Sequence, residues 1–186
     1  AFRNSCHSPP NPPASGGGLE CVGVLLPTSL GGLLTFFALH KLGKVPAMLN
    51  FSAGLKTIRL ALETAQINTI LTSRVFIKKA NLEDLAVELE ADYQIIYLED
   101  LRKNLTLGTK LKGLWQALSP ARFAHSLPET RPDDVAVILF TSGSEDTPKG
   151  VALSHKNILT NIEQVKDSLN FSDKDVMFNA LPIFHS

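Results

Sequence analysis

The chain has 186 residues, of which 44% are hydrophobic and 19% charged, so it is long and apolar enough to form a domain core. Eighteen basic and eighteen acidic residues cancel. No dense block of Lys or Arg occurs, which argues against a nucleic-acid partner. Cys6 and Cys21 lack a CxxC spacing and the five histidines are scattered, so we expect a reducing compartment and no metal site.

The N-terminal stretch differs in composition from everything after it. Residues 1–18 contain four prolines and three consecutive glycines, which predicts a disordered leader. The chain begins at Ala1 and ends at Ser186 inside a motif described below. We therefore expect residues 19–186 to be an incomplete domain of a longer protein.

One uncharged stretch is nearly long enough to be a transmembrane helix. Residues 21–39 carry no charge, and their length is close to the ~20 residues needed to cross a bilayer. Pro27, Thr28 and Ser29 interrupt the run, so the pattern favours a strand over 22–26 and a helix over 30–42. The sequence predicts a buried strand–turn–helix unit and not a transmembrane helix.

Strands and helices continue to alternate downstream. Short apolar runs predict strands over 45–49, 67–71, 94–98, 135–140 and 176–181. Apolar residues at helical spacing predict helices over 55–65, 82–89, 111–118 and 158–169, with Ser52, Asn81 and Ser154 as caps of the first, second and fourth. We interpret Trp115 as a packing residue. This alternation predicts an α/β fold with a mainly parallel sheet flanked by helices, whose ligands bind at the carboxyl ends of strands.

A loop rich in small hydroxyl residues follows the strand over 135–140. It runs from Thr141 to Gly150, and its backbone N–H groups, hydroxyls and one lysine are the groups that hold phosphate. The P-loop template of NTPases fails here, because Pro148 replaces its second glycine and Gly150 its Mg-binding hydroxyl residue. We expect this loop and the 182–186 segment to meet at one cleft.

The residue order of the loop identifies a different kind of phosphate site. Thr141-Ser142-Gly143-Ser144 followed by Thr147-Pro148-Lys149-Gly150 resembles the T-S-G-[ST]-[TS]-G-x-P-K-G loop of the acyl-adenylate-forming (AMP-binding) superfamily. Residues 153–155 and the L-P-x-F-H-like segment 181–186 extend the resemblance. The Ser144-Glu145 variant, with residues 35–39 and 44–54, is similar to the acyl-ACP synthetase half of the bacterial bifunctional 2-acylglycerophosphoethanolamine acyltransferase/acyl-ACP synthetases.

The resemblance implies a reaction and roles for residues. A fatty acid would attack the α-phosphate of ATP, supplied with Mg²⁺, and the acyl group would pass from the adenylate to the phosphopantetheine thiol of acyl carrier protein or to coenzyme A. Residues expected at the ATP phosphates are Thr141, Ser142, Gly143, Ser144, Thr147, Lys149 and Gly150. Lys149 would stabilise charge in the transition state, and Phe184 and His185 would lie at the acyl substrate.

The resemblance also implies a cellular location, and it leaves alternative functions open. We expect a cytoplasmic location, at the inner face of the inner membrane if an upstream domain anchors the protein. The fragment alone is expected to be inactive, since the family's later adenine motifs and catalytic lysine lie beyond it. A long-chain acyl-CoA synthetase and a non-catalytic nucleotide-binding or scaffold descendant remain as alternatives.

Asp146 departs from the family pattern, which has glycine at this position. With Glu145 it places two carboxylates beside the expected polyphosphate site. Like charges a few ångströms apart repel by about 1 to 4 kcal/mol, depending on the dielectric. We therefore expect weaker ATP binding than in a glycine version of the loop.

Overall fold

The computed structural model describes residues 20–119, 124, 127–141, 148–169, 172, 174–176 and 181–185. The predicted leader, residues 1–18, lies outside this part of the chain. So do residues 177–180, the centre of the last predicted strand. The predicted division of the chain into leader and domain therefore stays a prediction.

A six-stranded sheet organises the described residues and confirms the predicted fold class. Its strands are β1 (Cys21–Val24), β2 (Val45–Met48), β3 (Thr69–Thr72), β4 (Gln94–Tyr97), β5 (Val135–Thr141) and β6 (Lys149–Ser154). The order across the sheet is β4-β3-β1-β2-β5-β6. The first five strands are parallel to their neighbours, and β6 pairs antiparallel with β5.

Helices connect the parallel strands, as crossover geometry requires. They are α1 (Leu30–Lys41), α2 (Leu55–Thr64), α3 (Arg74–Lys79), α4 (Glu83–Glu90), α5 (Leu98–Lys103) and α6 (Leu107–Ala117). A further helix, α7 (His155–Ser168), follows β6. The uncharged run thus forms β1 and α1, as the sequence predicted. Within the described residues, no helix has the length and apolar character to cross a membrane.

The predicted helix caps are right at one site and wrong at two. Ser154 caps α7 in a reciprocal capping box with Asn157. Ser52 does not cap α2, because its N–H and hydroxyl donate to the Asn50 side chain instead, at 2.9 and 2.6 Å. Asn81 does not cap α4; it takes a positive φ of 52° in the tight turn between α3 and α4.

The core lies on both faces of the sheet. On one face α2 and α4 cover a cluster that includes Leu25, Leu62 and Leu89, all of them fully buried. On the other face α1 and α7 contribute side chains to a cluster around Val24 and Met48. Because β1, β2 and β3 in the centre of the sheet are buried on both faces, their carboxyl ends are held rigidly, and the loops that follow the parallel strands form one edge.

Candidate functional site

The candidate site lies at the carboxyl edge of the sheet. β1, β2 and β5 are parallel neighbours, so the segments that follow them leave the sheet at the same edge. These segments begin at Leu25, at Leu49 and directly after Thr141. In parallel α/β sheets this edge is where ligands bind.

The predicted phosphate loop is the connection of a β-hairpin. Thr141, the last residue of β5, pairs with Lys149, the first residue of β6, and Phe140 pairs with Gly150. Strand β6 was not predicted from the sequence, which indicated a loop that leads on to a helix. The hairpin brings Thr141 and Lys149 to opposite sides of the loop's base, so a hydroxyl and an ammonium flank whatever the loop encloses.

Lys149 has an anchored backbone and an exposed side chain. The preceding Pro148 is buried, while Lys149 itself is exposed. Within the part of the chain that the structure describes, no carboxylate forms an ion pair with the Lys149 ammonium. An exposed ammonium can neutralise an anionic ligand.

Gly150 is held in the ladder and not in a special conformation. A Cβ at this position would meet the Phe140 ring at 3.6 Å, an ordinary van der Waals contact. Its φ does not lie in the left-handed region. Among the described contacts, nothing gives Gly150 a steric reason to be glycine, so its predicted role at the ATP phosphates remains a prediction.

The centre of the loop lies outside the described residues. Ser142, Gly143, Ser144 and Thr147, together with the Glu145-Asp146 pair, fall in this gap. Their predicted contacts with phosphate oxygens therefore remain predictions. The structure does describe β5 and β6, the two strands that the loop connects.

The C-terminal segment reaches the same edge of the sheet through Thr28, in the loop after β1. The Ile183 N–H donates to the Thr28 hydroxyl at 2.8 Å, and the hydroxyl faces the Leu181 carbonyl at 3.5 Å. The His185 N–H donates to the Pro182 carbonyl at 2.9 Å, which closes a turn. Segment 181–185 therefore lies at the carboxyl end of β1, at the same edge as the end of β5.

Phe184 packs against the loop after β2, and His185 is exposed. The Phe184 and Phe51 ring centroids are 5.0 Å apart in an edge-to-face arrangement, and Phe51 makes a similar contact with Phe76 at 5.0 Å. These contacts fix the backbone that presents His185, whose side chain is solvent-exposed. Aromatic pairs of this geometry add about 0.5–1.5 kcal/mol each beyond their buried area.

Thr28 is the residue that sequence reasoning missed. In the sequence it appears only as part of the break between β1 and α1. Its hydroxyl contacts residues more than 150 positions away, so no local pattern reveals the partner. The available signal was its place directly after a buried strand, where polar residues collect at the ligand edge.

The Glu99 carboxylate forms a hydrogen-bond network between the segments that follow β3 and β4, at the same edge of the sheet. Glu99 accepts hydrogen bonds from the Ser73 hydroxyl at 2.7 Å and from the Arg74 and Val75 N–H groups at 3.1 and 3.2 Å. Burial alone would raise the pKa of Glu99, but these hydrogen bonds lower it to about 2. Glu99 thus joins the start of α3 to the start of α5 as a permanently ionised acceptor near neutral pH.

The described residues offer no ready metal site. Within them, no group of three or more His, Cys, Asp or Glu side chains is placed to hold a metal ion.

A mostly parallel sheet with helices on both faces and a lysine-bearing hairpin at its carboxyl edge is typical of nucleotide-binding α/β domains. The AMP-binding enzyme family model matches residues 17–186, and the chain belongs to this family.

Three comparisons illustrate the relationship. The chain is 29% identical to 4-coumarate–CoA ligase 1 of Petroselinum crispum over 171 residues, which cover 89% of the chain and 29% of that ligase. It is 27% identical to medium-chain-fatty-acid–[acyl-carrier-protein] ligase JamA of Moorena producens, over 90% of the chain and 25% of that protein. It also matches o-succinylbenzoate coenzyme A synthetase of Bacillus subtilis, solved with ATP and magnesium, with a TM-score of 0.66 at 21% identity.

The chain corresponds to only part of the length of each of these proteins. The structural match spans 89% of the chain and 38% of the synthetase, and the chain spans less than a third of the two ligases.

Proposed function

We propose that this chain supplies the ATP-phosphate site of an AMP-forming acid–thiol ligase that activates fatty acids. The acid would react with ATP, together with Mg²⁺, to give an acyl-adenylate and pyrophosphate. The acyl group would then pass to the phosphopantetheine thiol of an acyl carrier protein. Membership of the AMP-binding enzyme family and the fatty-acid–carrier-protein ligase among its relatives support this proposal.

The observation that carries the proposal is the pairing of Thr141 with Lys149 at the base of the hairpin. The ladder fixes both backbones before any ligand arrives, and the Lys149 side chain stays exposed. The ammonium would stabilise the charge that develops on departing pyrophosphate, and the Thr141 hydroxyl would donate to a phosphate oxygen. Ser142, Gly143, Ser144, Thr147 and Gly150 would complete the phosphate contacts.

The acid would meet this phosphate site from the C-terminal segment. The Phe184 ring and the exposed His185 imidazole lie on a segment tied to the same sheet edge. His185 would contact the acyl carboxylate near the α-phosphate, and Phe184 would border the acyl chain. Held there, acid and ATP would react as neighbours, which lowers the entropic cost of the step.

ATP–pyrophosphate exchange with a long-chain fatty acid, measured on the intact protein, tests the proposal. We expect exchange in the wild type and a loss of about 10²- to 10³-fold in Lys149→Ala, because a preorganised donor to developing charge is removed. Lys156→Ala is the matched control, since Lys156 is an exposed lysine of α7 on the same chain segment. Absence of exchange in the wild type would favour a nucleotide-binding or scaffold role instead.

Coenzyme A is the second candidate acceptor. The similarity to 4-coumarate–CoA ligase 1 supports it, just as the similarity to the fatty-acid–carrier-protein ligase supports a carrier protein. Discharge of a preformed acyl-adenylate by holo-acyl carrier protein or by coenzyme A, compared at equal concentrations in the intact protein, separates the two. A clear preference for coenzyme A would replace the carrier-protein proposal and leave the adenylation step unchanged.

A further inference from the structure

Helix α6 exposes its apolar side chains. Leu107, Leu111, Leu114, Trp115 and Leu118 at its end are 78%, 65%, 59%, 56% and 74% exposed. At 100° per residue these five positions fall within a sector of about 100°, so they form one continuous stripe. We call these five residues the α6 stripe.

Gln116 on the opposite face of α6 contacts helix α1. Gln116 lies across the helix from the leucines and is half-buried, and its side-chain carbonyl accepts a hydrogen bond from Lys41 of α1 at 3.3 Å. A surface helix normally turns its apolar stripe inward and its polar face outward. Here the apolar stripe is exposed, as are Thr109, Lys110 and Lys112 on the rest of the helix, and an exposed contiguous apolar stripe marks a binding surface.

The charge around the α6 stripe has a single sign. Residues 101–128 contain five of the chain's eighteen basic residues and none of its eighteen acidic ones. Lys110 and Lys112 lie on the two borders of the stripe, and Arg102 and Lys103 are exposed at the end of α5 just before it. Long cationic side chains that border an apolar stripe can reach past it to anionic groups.

We propose that the α6 stripe docks this chain on an anionic lipid bilayer. The leucines and Trp115 would enter the boundary between headgroups and acyl chains, while Lys110 and Lys112 contact lipid phosphates. Apolar side chains on one face with lysines at the borders are the composition of helices that lie in a membrane interface. The inference rests on α6 alone and is independent of the proposed ligase activity.

Charge argues against the other occupants of this surface. A second copy would bring an identical cationic surface against the first, which is repulsive. Residues 1–19 contain Arg3 and no acidic residue, so they offer no complementary charge. Binding to protein-free lipid vesicles distinguishes a bilayer from an acidic protein partner.

Co-sedimentation of the intact protein with lipid vesicles tests the proposal. We expect binding to phosphatidylcholine vesicles that contain about a third phosphatidylglycerol and little binding to phosphatidylcholine alone, with binding weakened by salt. Lys110→Glu with Lys112→Glu should lower the partition coefficient about tenfold or more. Leu111→Gln with Leu114→Gln should lower it comparably while retaining good helix formers. Lys78→Glu with Lys79→Glu on α3 reverses the same charge elsewhere and should change it by less than about twofold.

Several results would overturn the proposal. One is wild-type protein that stays in the supernatant with anionic vesicles; another is binding that both α6 variants retain. A clear drop in the melting temperature of Leu111→Gln with Leu114→Gln would show that the α6 stripe is buried inside the intact protein. Light scattering that shows a dimer lost in the same variant would assign the stripe to a second copy. ATP–pyrophosphate exchange in solution should be unchanged in every variant, which keeps this test apart from the ligase test.

Discussion

Lys149 enters the sheet opposite Thr141, so the ladder holds its backbone while its ammonium stays in solvent. Lys156, seven residues further on, is also exposed but lies on α7, beyond the hairpin. The two lysines share a charge and a degree of exposure and differ in their distance from the loop. A functional difference between their alanine variants therefore reports on position and not on net charge.

Asp146 is the loop residue whose replacement should improve ligand binding. Asp146→Gly removes a carboxylate from beside the expected polyphosphate site, and a lost repulsion of about 1 kcal/mol, the value for charges in water, corresponds to roughly fivefold tighter ATP binding. Titration calorimetry of ATP into the intact protein measures this change. Asp146→Asn keeps the side-chain size and removes only the charge, so it should recover most of the gain. Unchanged affinity in both variants would show that these carboxylates point away from the nucleotide.

At the scale of elements, the Glu99 network makes one corner of the fold sensitive to acid. Burial disfavours the ionised form of Glu99, but the hydrogen bonds outweigh it and lower the pKa from 4.5 to about 2. The stabilisation is therefore complete above about pH 4.5 and is lost as the pH falls towards 2. After allowance for solvent screening at this half-buried site, we expect it to be worth about 1–2 kcal/mol.

Glu99→Gln tests this contribution. The substitution keeps the side-chain size but removes the charge, so the free energy of unfolding should fall by about 1–2 kcal/mol at pH 7 and by less near pH 3. Urea denaturation at the two pH values measures both. Glu83→Gln in the first turn of α4 is the control, because no described hydrogen bond or ion pair depends on its carboxylate. An equal loss at pH 7 and pH 3 would contradict the role of the charge.

Elements with a strong local pattern were predictable, and those set by tertiary contacts were not. The apolar runs of β1 to β5 and the helical spacing in α1, α2, α4, α6 and α7 predicted these elements to within a few residues. β6 was missed because an edge strand that starts with Lys149-Gly150 has weak strand propensity and acquires its conformation by pairing with β5. The helices α3 and α5 have six residues each, too short for a periodic pattern.

Trp115 shows the same limit on a helix that was predicted. Helical spacing placed it with leucines on one face, which normally means packing in a core. The structure keeps that face but turns it outward, with Trp115 56% exposed. Periodicity defines which side chains share a face, but it does not define what the face contacts.

At the scale of the whole molecule, the sheet order gathers segments that are far apart in the sequence. β5 lies beside β2 although 86 residues separate the end of one from the start of the other. The loops after β1, β2 and β5 therefore leave the sheet at one edge. The sequence predicted which residues end at that edge, and the structure adds that Thr28 and Phe51 hold the C-terminal segment there.

Thr28 is the residue through which this long-range arrangement can be tested. Thr28→Val keeps the shape of the side chain but removes the acceptor of the Ile183 N–H, which lies 155 residues away. Because the site is exposed, water can replace the bond, and we expect global stability to change by no more than about 1 kcal/mol. The local effect should be larger, since segment 181–185 loses its polar anchor and opens more readily.

Hydrogen–deuterium exchange of residues 181–185 in the intact protein measures that opening. We expect about fivefold faster exchange of the Ile183 amide in Thr28→Val, the equivalent of about 1 kcal/mol of local protection. Thr64→Val is the control, because the Thr64 hydroxyl donates only within its own helix, to the Leu60 carbonyl at 2.7 Å. If His185 contacts the acyl substrate, Thr28→Val should also raise the KM for fatty acid more than the KM for ATP, since the loosened segment carries His185 and leaves the hairpin in place. Equal exchange rates in the two variants would show that the Phe184–Phe51 contact alone holds the segment at the edge of the sheet.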